Sequence, residues 1–183
     1  MTRHPLTEYP IVGAFDLDCG LCPVYFSAGK SRFPGCCGPD FCQKRPTCSI
    51  ITRCVKQENL ETCAQRADWQ TCEKIAKRIN AAVDSAISYK PIAANFALIQ
   101  KYGIEDCAGL GFQKQELLIY LIENHNDGRS KSFYCASCQL LPLDWLKEAA
   151  GDAGGKIHKY FDIREKAGTM RAAIRNLAEN STN

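Results

Sequence analysis

The chain has 183 residues, of which 45% are hydrophobic and 23% charged, a composition ordinary for a folded globular protein with its own core. Its formal net charge of +3 is too small to indicate a nucleic-acid or membrane partner by itself. The unusual feature is cysteine, which occurs twelve times.

The sequence predicts a reducing environment for these cysteines. Its first residues lack the apolar stretch and small-residue cleavage site of a secretory signal, and no run of about 18 apolar residues predicts a membrane span. We therefore expect a cytoplasmic protein, in which thiols stay reduced. Many cysteines in such a compartment indicate metal ligands or redox chemistry, whereas an exported protein would use them as disulfides.

The cysteines are unevenly distributed along the chain. Nine of them lie between Cys19 and Cys72, and the other three are Cys107, Cys135 and Cys138. Composition accordingly predicts three segments: a Cys-rich metal-binding segment at 1–66, a helical body with a second Cys-x-x-Cys motif at 67–150 and a C-terminal helix at 151–183.

Residues 19–66 show little apolar periodicity and are interrupted by glycine and proline, which predicts turns and loops. We expect such a segment to bury little apolar surface. Metal–sulfur bonds would then offset the entropy of ordering it, because binding energy at a structural metal site becomes folding energy.

Cys19 and Cys22 form a Cys-x-x-Cys motif, whose two thiolates can reach one ion from a single tight turn. A tetrahedral zinc ion needs two more ligands. The nearest candidates are Cys36 or Cys37, and then Cys42, at a spacing that approximates a zinc ribbon. The alternative is a set of free buried cysteines that act as small hydrophobic residues.

A second set of four cysteines follows, separated by five, eight and eight residues. Four thiolates would complete a second metal site, although these gaps differ from the closely spaced cysteines of bacterial ferredoxins. The last of the four also falls on the apolar side of a predicted helix, which favours a core position for it. The four residues are Cys48, Cys54, Cys63 and Cys72.

Beyond the Cys-rich segment, apolar residues recur at steps of three and four, which predicts helices. The first helix begins after Asp68, a candidate N-cap, and its apolar stripe runs from Trp69 to Ile87. The second begins at Pro91, which suits a first turn, and ends at Gly103.

The third predicted helix spans residues 113–125 and is apolar on nearly every side, so we expect it to be the most buried. A short helix at 142–150 and a last helix at 160–177 follow. Between them we expect a flexible joint at Gly151, Gly154 and Gly155. The predicted fold is mainly α, with an irregular Cys-rich, metal-bound N-terminal lobe packed on a small helical body.

Cys135 and Cys138 form a second Cys-x-x-Cys motif, for which three interpretations stay open. They could be a thioredoxin-like dithiol, half of a metal site completed by Cys107 or an N-terminal thiol, or two inert core thiols. A reactive dithiol needs a helix N-terminus to lower a thiol pKa, and Pro142 places a helix start too late for that. We therefore favour metal completion or core packing.

Basic residues are concentrated between positions 30 and 56, where Asp40 is the one acidic residue. A zinc ion with four thiolates carries about two negative charges, which nearby cations would offset. A phosphate-contacting patch is the alternative, but aromatic residues for base stacking are sparse there, which disfavours nucleic acid. The basic residues are Lys30, Arg32, Lys44, Arg45, Arg53 and Lys56, and the aromatic residues are Phe33 and Phe41.

Common catalytic motifs are absent from the sequence, including the phosphate-binding loop and the dinucleotide-binding glycine pattern. None of the histidines, His4, His125 and His158, lies at ligand spacing from the cysteines. His125 and Cys135 are a candidate catalytic pair, and an exposed histidine at a helix end is the favoured interpretation. The sequence leaves open whether the protein is an enzyme.

The order of the motifs FDLDCGLCPVYFSAG, GCCGPDFC, CSIITRC and NLETCAQRADWQTCEKI resembles the DUF3795 family of uncharacterised Cys-rich prokaryotic proteins, and covers residues 15–80. The resemblance implies zinc binding by these cysteines and no particular activity. The family pattern often has further cysteines where this chain has Phe15 and Arg66. Cys107, Cys135 and Cys138 are candidates to replace them.

Three functional hypotheses follow. The first is a zinc-stabilised interaction or regulatory module with an unidentified protein partner. The second is an iron–sulfur protein, with a [4Fe-4S] cluster, that transfers electrons or senses redox state. The third is a nucleic-acid-binding zinc module. An enzyme that uses the Cys135/Cys138 dithiol ranks fourth, behind these three. No membrane partner is expected.

Overall fold

The structure is a computed structural model that describes residues 7–44, 50–81 and 86–180. Its fold is mainly α, which confirms the predicted fold class. The chain divides into two compact units, Met1–Phe112 and Gln113–Asn183, and the boundary falls within one helix. This division differs from the three segments predicted from composition.

Regular helices lie mostly after residue 72, whereas the Cys-rich segment is built from short turns. Within the described ranges, no helix combines the length and apolar character of a membrane crossing. The turns are 3-10 helices at Cys19–Leu21, Gly29–Ser31, Cys63–Gln65 and Trp69–Thr71, and a π-helical turn at Ile51–Val55. The α-helices are α1 Phe41–Lys44, α2 Glu73–Ile79, α3 Ile92–Tyr102, α4 Ile104–His125, α5 Lys131–Leu140, α6 Leu143–Lys156 and α7 Ile163–Asn180.

Helix α3 begins and ends where the sequence predicts. Pro91 precedes the first helical residue, where its fixed φ suits a helix start and its missing N–H is not needed. Gly103 follows the last residue with a φ of 89°, a conformation that favours glycine. The buried stripe of Ile92, Phe96 and Ile99 packs into the core.

The helix predicted from Trp69 to Ile87 is wrong in its bounds. Trp69 belongs to a 3-10 turn, and α2 covers only Glu73–Ile79 before it ends at Asn80. Val83, on the predicted stripe, lies outside the described residues. Apolar residues therefore continue to recur at steps of three and four residues beyond the end of α2.

Two further helix predictions are corrected. Helix α4 begins well before residue 113 and is one-sided, because Leu118 and Leu121 are buried whereas Ile119 and Tyr120 are 39% and 45% exposed. Helix α6 continues to Lys156, so no flexible joint interrupts it. The three glycines predicted to form that joint are helical: Gly151, Gly154 and Gly155.

The first unit has an apolar core to which the Cys-rich segment contributes. Phe41, Val55 and Ala64 are buried there together with Ile75 and Phe96. The expectation that this segment buries little apolar surface is therefore wrong. These residues come from turns, which have no periodicity to reveal them, and burying a large apolar side chain contributes about 1.5–3 kcal/mol. The burial of these side chains is a source of order that does not depend on a metal.

The second unit is a helical assembly in which α6 packs along α7 and α5 contacts both. The last helix, predicted over residues 160–177, begins at Ile163, and its residues Ala167, Met170 and Ile174 are buried. Ala149 and Ala153 are buried on α6. Small residues on packed helices allow a close approach of the two backbones.

An ion pair joins the segment between α4 and α5 to α7. Arg171 Nη1 lies 3.1 Å from Asp127 Oδ2. The other carboxylate oxygen accepts hydrogen bonds from the Ser130 hydroxyl at 2.6 Å and the Arg129 amide at 3.1 Å. The Ser130 and Arg129 hydrogen bonds and the Arg171 guanidinium hold the pKa of Asp127 well below its usual value.

Candidate metal centre

Backbone hydrogen bonds position the first Cys-x-x-Cys motif. The Cys19 amide donates to the Ile11 carbonyl at 2.7 Å. Asp18 caps the 3-10 turn that follows, since its side chain accepts a hydrogen bond from the Gly20 amide at 3.1 Å. Cys19 therefore stands at the start of this turn, and Cys22 directly follows it.

Cys19, Cys22 and Cys36 form what we call the first thiol group. The Cys36 amide donates to the Cys19 sulfur at 3.4 Å. A hydrogen bond with the Cys36 thiol, together with burial, raises the pKa of Cys19 well above its ordinary value. Burial raises the pKa of Cys22, whereas the nearby backbone of Val24 and Tyr25 lowers it. The Tyr25 amide donates a hydrogen bond of 2.9 Å to the Cys22 carbonyl. Amides directed at sulfur stabilise the thiolate, the form that binds metals.

Gly13 lies against the first thiol group. A Cβ at this position would be 3.0 Å from the Cys19 sulfur and 3.6 Å from the Cys36 Cβ. A larger residue would require the sulfur or its backbone to shift, and such overpacking is destabilising. The glycine is therefore explained by the space that the two cysteines occupy.

The other two cysteines predicted for this site have different surroundings. Cys37 is fully buried in the apolar core of the first unit, where burial raises its pKa to about 12. Cys42 is exposed on α1. The first thiol group therefore includes three of the five cysteines that the sequence predicts for it.

Cys54, Cys63 and Cys72 form the second thiol group, which lines one small cavity. Its volume of about 10 Å³ leaves room for about one water molecule. Cys48, predicted as the fourth member, lies outside the described residues. The cavity is also lined by Phe15, Ile50, Arg66, Lys74 and Ile75.

Two cations accompany the second thiol group. Lys74 Nζ lies 3.6 Å from the Cys54 sulfur. Burial raises the pKa of Cys63 to about 12, and Arg66 opposes this increase. Arg66 also pairs with Asp68 at 3.0 Å. Arg66 therefore favours the thiolate form of Cys63.

Charge compensation was predicted instead from the basic residues between positions 30 and 56. In that segment the Lys44 ammonium donates to the backbone carbonyls of Lys30 and Arg32. The Arg32 guanidinium lies over the Tyr25 ring, 5.3 Å from its centroid. Arg45, also in the predicted set, lies outside the described residues. These described contacts hold the segment together, and the cations beside the second thiol group come from elsewhere.

Asp16 is a carboxyl group buried in the first unit, with 4% exposure. Neither oxygen has a partner in hydrogen-bond geometry among the described residues. Burial raises the pKa of Asp16 well above its ordinary value, although the Thr62 hydroxyl and the Ala64 amide are close enough to lower it. Burial raises the pKa of Cys63 and of Cys107, and an ionised Asp16 carboxylate would add to this increase. The surroundings therefore favour its neutral form.

The second Cys-x-x-Cys motif lies within α5, and both of its cysteines are fully buried. Cys135 is the fifth residue of that helix, so the motif is not at the helix N-terminus that a reactive dithiol requires. These positions favour the core interpretation. Cys107 belongs to the first unit, where it packs half-buried against the apolar core. Its participation in a metal site stays a prediction.

His125 is 5% exposed, so the expectation of an exposed histidine at a helix end is wrong. Its Nε2 lies 3.4 Å from the Tyr120 hydroxyl, and its carbonyl accepts a hydrogen bond of 2.9 Å from the Tyr134 hydroxyl. Burial lowers the pKa of His125 and favours the neutral imidazole. His125 is therefore packed against its neighbours at the end of α4.

Across residues 7–44, 50–81 and 86–180, no group of three or more His, Cys, Asp or Glu side chains is placed so that it could hold a metal ion. No disulfide joins any two of the eleven cysteines described there. Metal binding at either thiol group would therefore require deprotonation and reorientation of the side chains. The chemistry of the donors suits zinc, because thiolates prefer softer ions to magnesium or calcium.

Sequence reasoning missed the residues that position the thiols. Asp18 directly precedes the first motif, and an aspartate before a helical turn is a recognised capping signal. Lys74 follows Cys72 by two residues, but its contact with Cys54 depends on the meeting of separate segments. No local pattern indicates such a contact.

Comparison with family models, with curated proteins and with solved structures finds no match to this chain. The resemblance to the DUF3795 family stays a prediction. The two thiol groups are the features from which a function can be inferred.

Proposed function

We propose that the protein binds zinc at the first thiol group and acts as an interaction or regulatory module. The observation that carries this proposal is the hydrogen bond of 3.4 Å that the Cys36 amide donates to the Cys19 sulfur. The nearby backbone of Val24 and Tyr25 also lowers the pKa of Cys22. These donors would stabilise the thiolates on which a zinc ion depends.

The first thiol group has three thiols, and this number supports a role as an interaction module. Cys19, Cys22 and Cys36 would supply three of the four ligands of a tetrahedral zinc ion at about 2.3 Å. The fourth position would be left to solvent or to a group from a partner. A partner that supplies this ligand would bind in a zinc-dependent way, which fits an interaction module better than an isolated structural site.

The alternatives receive less support. A [4Fe-4S] cluster uses four thiolates, and the first thiol group offers three. Nucleic-acid binding would use the basic segment, where Lys44 donates to backbone carbonyls and Arg32 stacks on Tyr25. The absence of common catalytic motifs from the sequence favours a module over an enzyme. A cytoplasmic location would keep the thiols reduced.

Anaerobic purification with elemental analysis and visible spectroscopy tests the proposal. We expect colourless protein that contains zinc, and a double variant Cys22→Ser/Cys36→Ser that has lost one zinc ion per chain. The control is Cys135→Ala/Cys138→Ala, which removes two buried thiols from α5. It should keep the zinc content of the parent protein.

Brown protein that contains iron and sulfide would replace the zinc proposal with the iron–sulfur hypothesis. Loss of zinc from the α5 control, with full zinc content in Cys22→Ser/Cys36→Ser, would remove the first thiol group from consideration. Circular dichroism of each variant shows whether the helical content is retained, so that loss of a ligand is distinguished from loss of the fold.

A further inference from the structure

The cysteines of the second thiol group are carried by separate segments but line one small cavity. Cys54 lies in the π-helical turn, Cys63 begins a 3-10 turn and Cys72 directly precedes α2. A cavity with room for about one water molecule keeps the sulfurs on its walls near to one another. Thiolate charges at Cys54 and Cys72 would each raise the pKa of Cys63, which places it within electrostatic reach of both.

A lysine from α2 reaches the sulfur of Cys54. The Lys74 ammonium donates a hydrogen bond of 3.6 Å to this sulfur, although Lys74 is exposed and could extend into solvent. Lys74 follows Cys72 by two residues, so the contact brings the start of α2 within one lysine side chain of Cys54. The contact and the shared cavity both place Cys72 close to Cys54.

The three thiols differ in their access to solvent. Cys54 and Cys72 are half-buried, whereas Cys63 is 4% exposed. Burial raises the pKa of Cys63 to about 12, so its thiol stays protonated at neutral pH. The thiolate is the nucleophile in thiol oxidation and in disulfide formation. Cys54 and Cys72 are therefore the two members of the group that a small oxidant would convert.

We propose that Cys54 is a site of oxidation by hydroperoxides, and that Cys72 converts the oxidised Cys54 into an intramolecular disulfide. Lys74 assists the oxidation of Cys54. The inference goes beyond the proposed function, because it concerns other cysteines and needs no metal.

The first step forms a sulfenic acid. The Cys54 sulfur attacks one oxygen of the peroxide, so that an S–O bond forms and the O–O bond breaks. The leaving oxygen takes up the thiol proton and departs as water or an alcohol. The Lys74 ammonium lies beside the same sulfur, where it would stabilise the negative charge that develops on the leaving oxygen.

The second step forms the disulfide. The Cys72 sulfur attacks the sulfur of the oxidised Cys54, so that an S–S bond forms and the S–O bond breaks. The hydroxide leaves as water with the proton of the Cys72 thiol. In sum, the two thiols lose two electrons and two protons, and the peroxide is reduced to two molecules of water, or to one water and one alcohol.

The disulfide would join two segments that already share a core. Val55 from the turn at Ile51–Val55 and Ile75 from α2 are both buried in the apolar core of the first unit. A covalent link between Cys54 and Cys72 would therefore fix a contact that packing alone maintains in the reduced protein. The packing of these segments would become sensitive to the redox state of the surroundings.

Brief treatment of the reduced, full-length chain with hydrogen peroxide, followed by alkylation and peptide mass spectrometry, tests the inference. We expect a linked pair of peptides that contain Cys54 and Cys72, which dithiothreitol separates again. Cys72→Ser should instead accumulate the sulfenic acid at Cys54, which dimedone traps. The control is Cys42→Ser, which removes an exposed cysteine from α1 and should form the same disulfide.

Three results would overturn the inference. An unmodified Cys54 in the parent protein, whether or not other cysteines are oxidised, would remove it as the site of oxidation. A disulfide between Cys54 and Cys63 would assign the second step to the wrong cysteine. Sulfenic acid that accumulates at Cys54 in the parent protein would show that Cys72 does not react with it. Circular dichroism of each variant shows whether the helical content is retained.

A matched pair of lysine variants tests the part assigned to Lys74. Lys74 and Lys77 are both exposed on α2, and Lys74 contacts the Cys54 sulfur. Lys74→Gln should slow disulfide formation by about two- to fivefold, the size expected for loss of a partly exposed charge interaction. Lys77→Gln should keep the rate of the parent protein. Equal rates in the two variants would remove Lys74 from the reaction.

Discussion

The backbone of Gly111 in α4 lies against the carboxylate of Asp18, so that a Cβ at Gly111 would be 2.6 Å from Asp18 Oδ2. Asp18 caps the turn of the first Cys-x-x-Cys motif through the Gly20 amide. One helix residue thus lies against the side chain that caps the turn beginning at Cys19. The contact links the part of α4 that belongs to the first unit to the first thiol group.

Replacing Gly111 by alanine should displace the Asp18 carboxylate and weaken this cap. Loss of a cap costs about 0.5–2 kcal/mol. Gly109→Ala is the control, because a Cβ there meets nothing within 4 Å and both substitutions gain the same helix propensity. We expect Gly111→Ala to have a free energy of unfolding about 1–2 kcal/mol below that of Gly109→Ala. Urea denaturation measures the difference, and equal stabilities would contradict the contact.

The glycines of α6 give a second prediction. Gly151, Gly154 and Gly155 are exposed within the helix, and a Cβ at each meets nothing within 4 Å. Alanine has the higher helix propensity, so each Gly→Ala substitution should raise the free energy of unfolding by up to about 1 kcal/mol. The triple variant, measured by urea denaturation, should show the summed effect. An unchanged stability would instead support the flexible joint predicted from the sequence.

The helices of the fold were predictable where local signals agreed. Pro91 and Gly103 mark both ends of α3, and each acts through its own backbone geometry. Prediction failed where only apolar spacing was available. Ile87 continues the spacing of α2, although the helix ends at Asn80. An apolar residue that follows a helix can pack into the same core without belonging to the helix.

The candidate site was predictable as a set of residue types rather than as a geometry. The first motif and Cys36 came together as their spacing indicated. The choice between Cys36 and Cys37 depends on which of two adjacent side chains faces the core, and irregular turns have no period that determines this. The apolar core beneath them, including Phe41 and Val55, was missed for the same reason.

The contact between Asp127 and Arg171 predicts a pH dependence of stability. The folded pKa of Asp127 is held below its unfolded value of about 3.9. The ionised carboxylate therefore stabilises the fold above that pH, and this contribution is lost as the pH falls through the folded pKa. Asp127→Asn should lower stability at neutral pH and flatten its dependence on pH in the acid range.

Urea denaturation at a series of acid pH values measures this effect. Asp152→Asn is the control, because it removes an exposed carboxylate from the middle of α6. It should keep the acid slope of the parent protein. An Asp127→Asn variant with the parent slope would show that the network around Asp127 does not contribute to stability in solution.

The exposure of Cys42 leads to the last prediction. Cys42 lies exposed on α1, whereas Cys37, Cys135 and Cys138 are fully buried. Brief alkylation of the zinc-loaded protein with iodoacetamide should therefore modify Cys42 and spare the three buried cysteines, because alkylation needs an accessible sulfur. The zinc content should be unchanged by the reaction. Peptide mass spectrometry identifies the modified residues; protection of Cys42 by zinc would instead assign it as the fourth ligand of the first site.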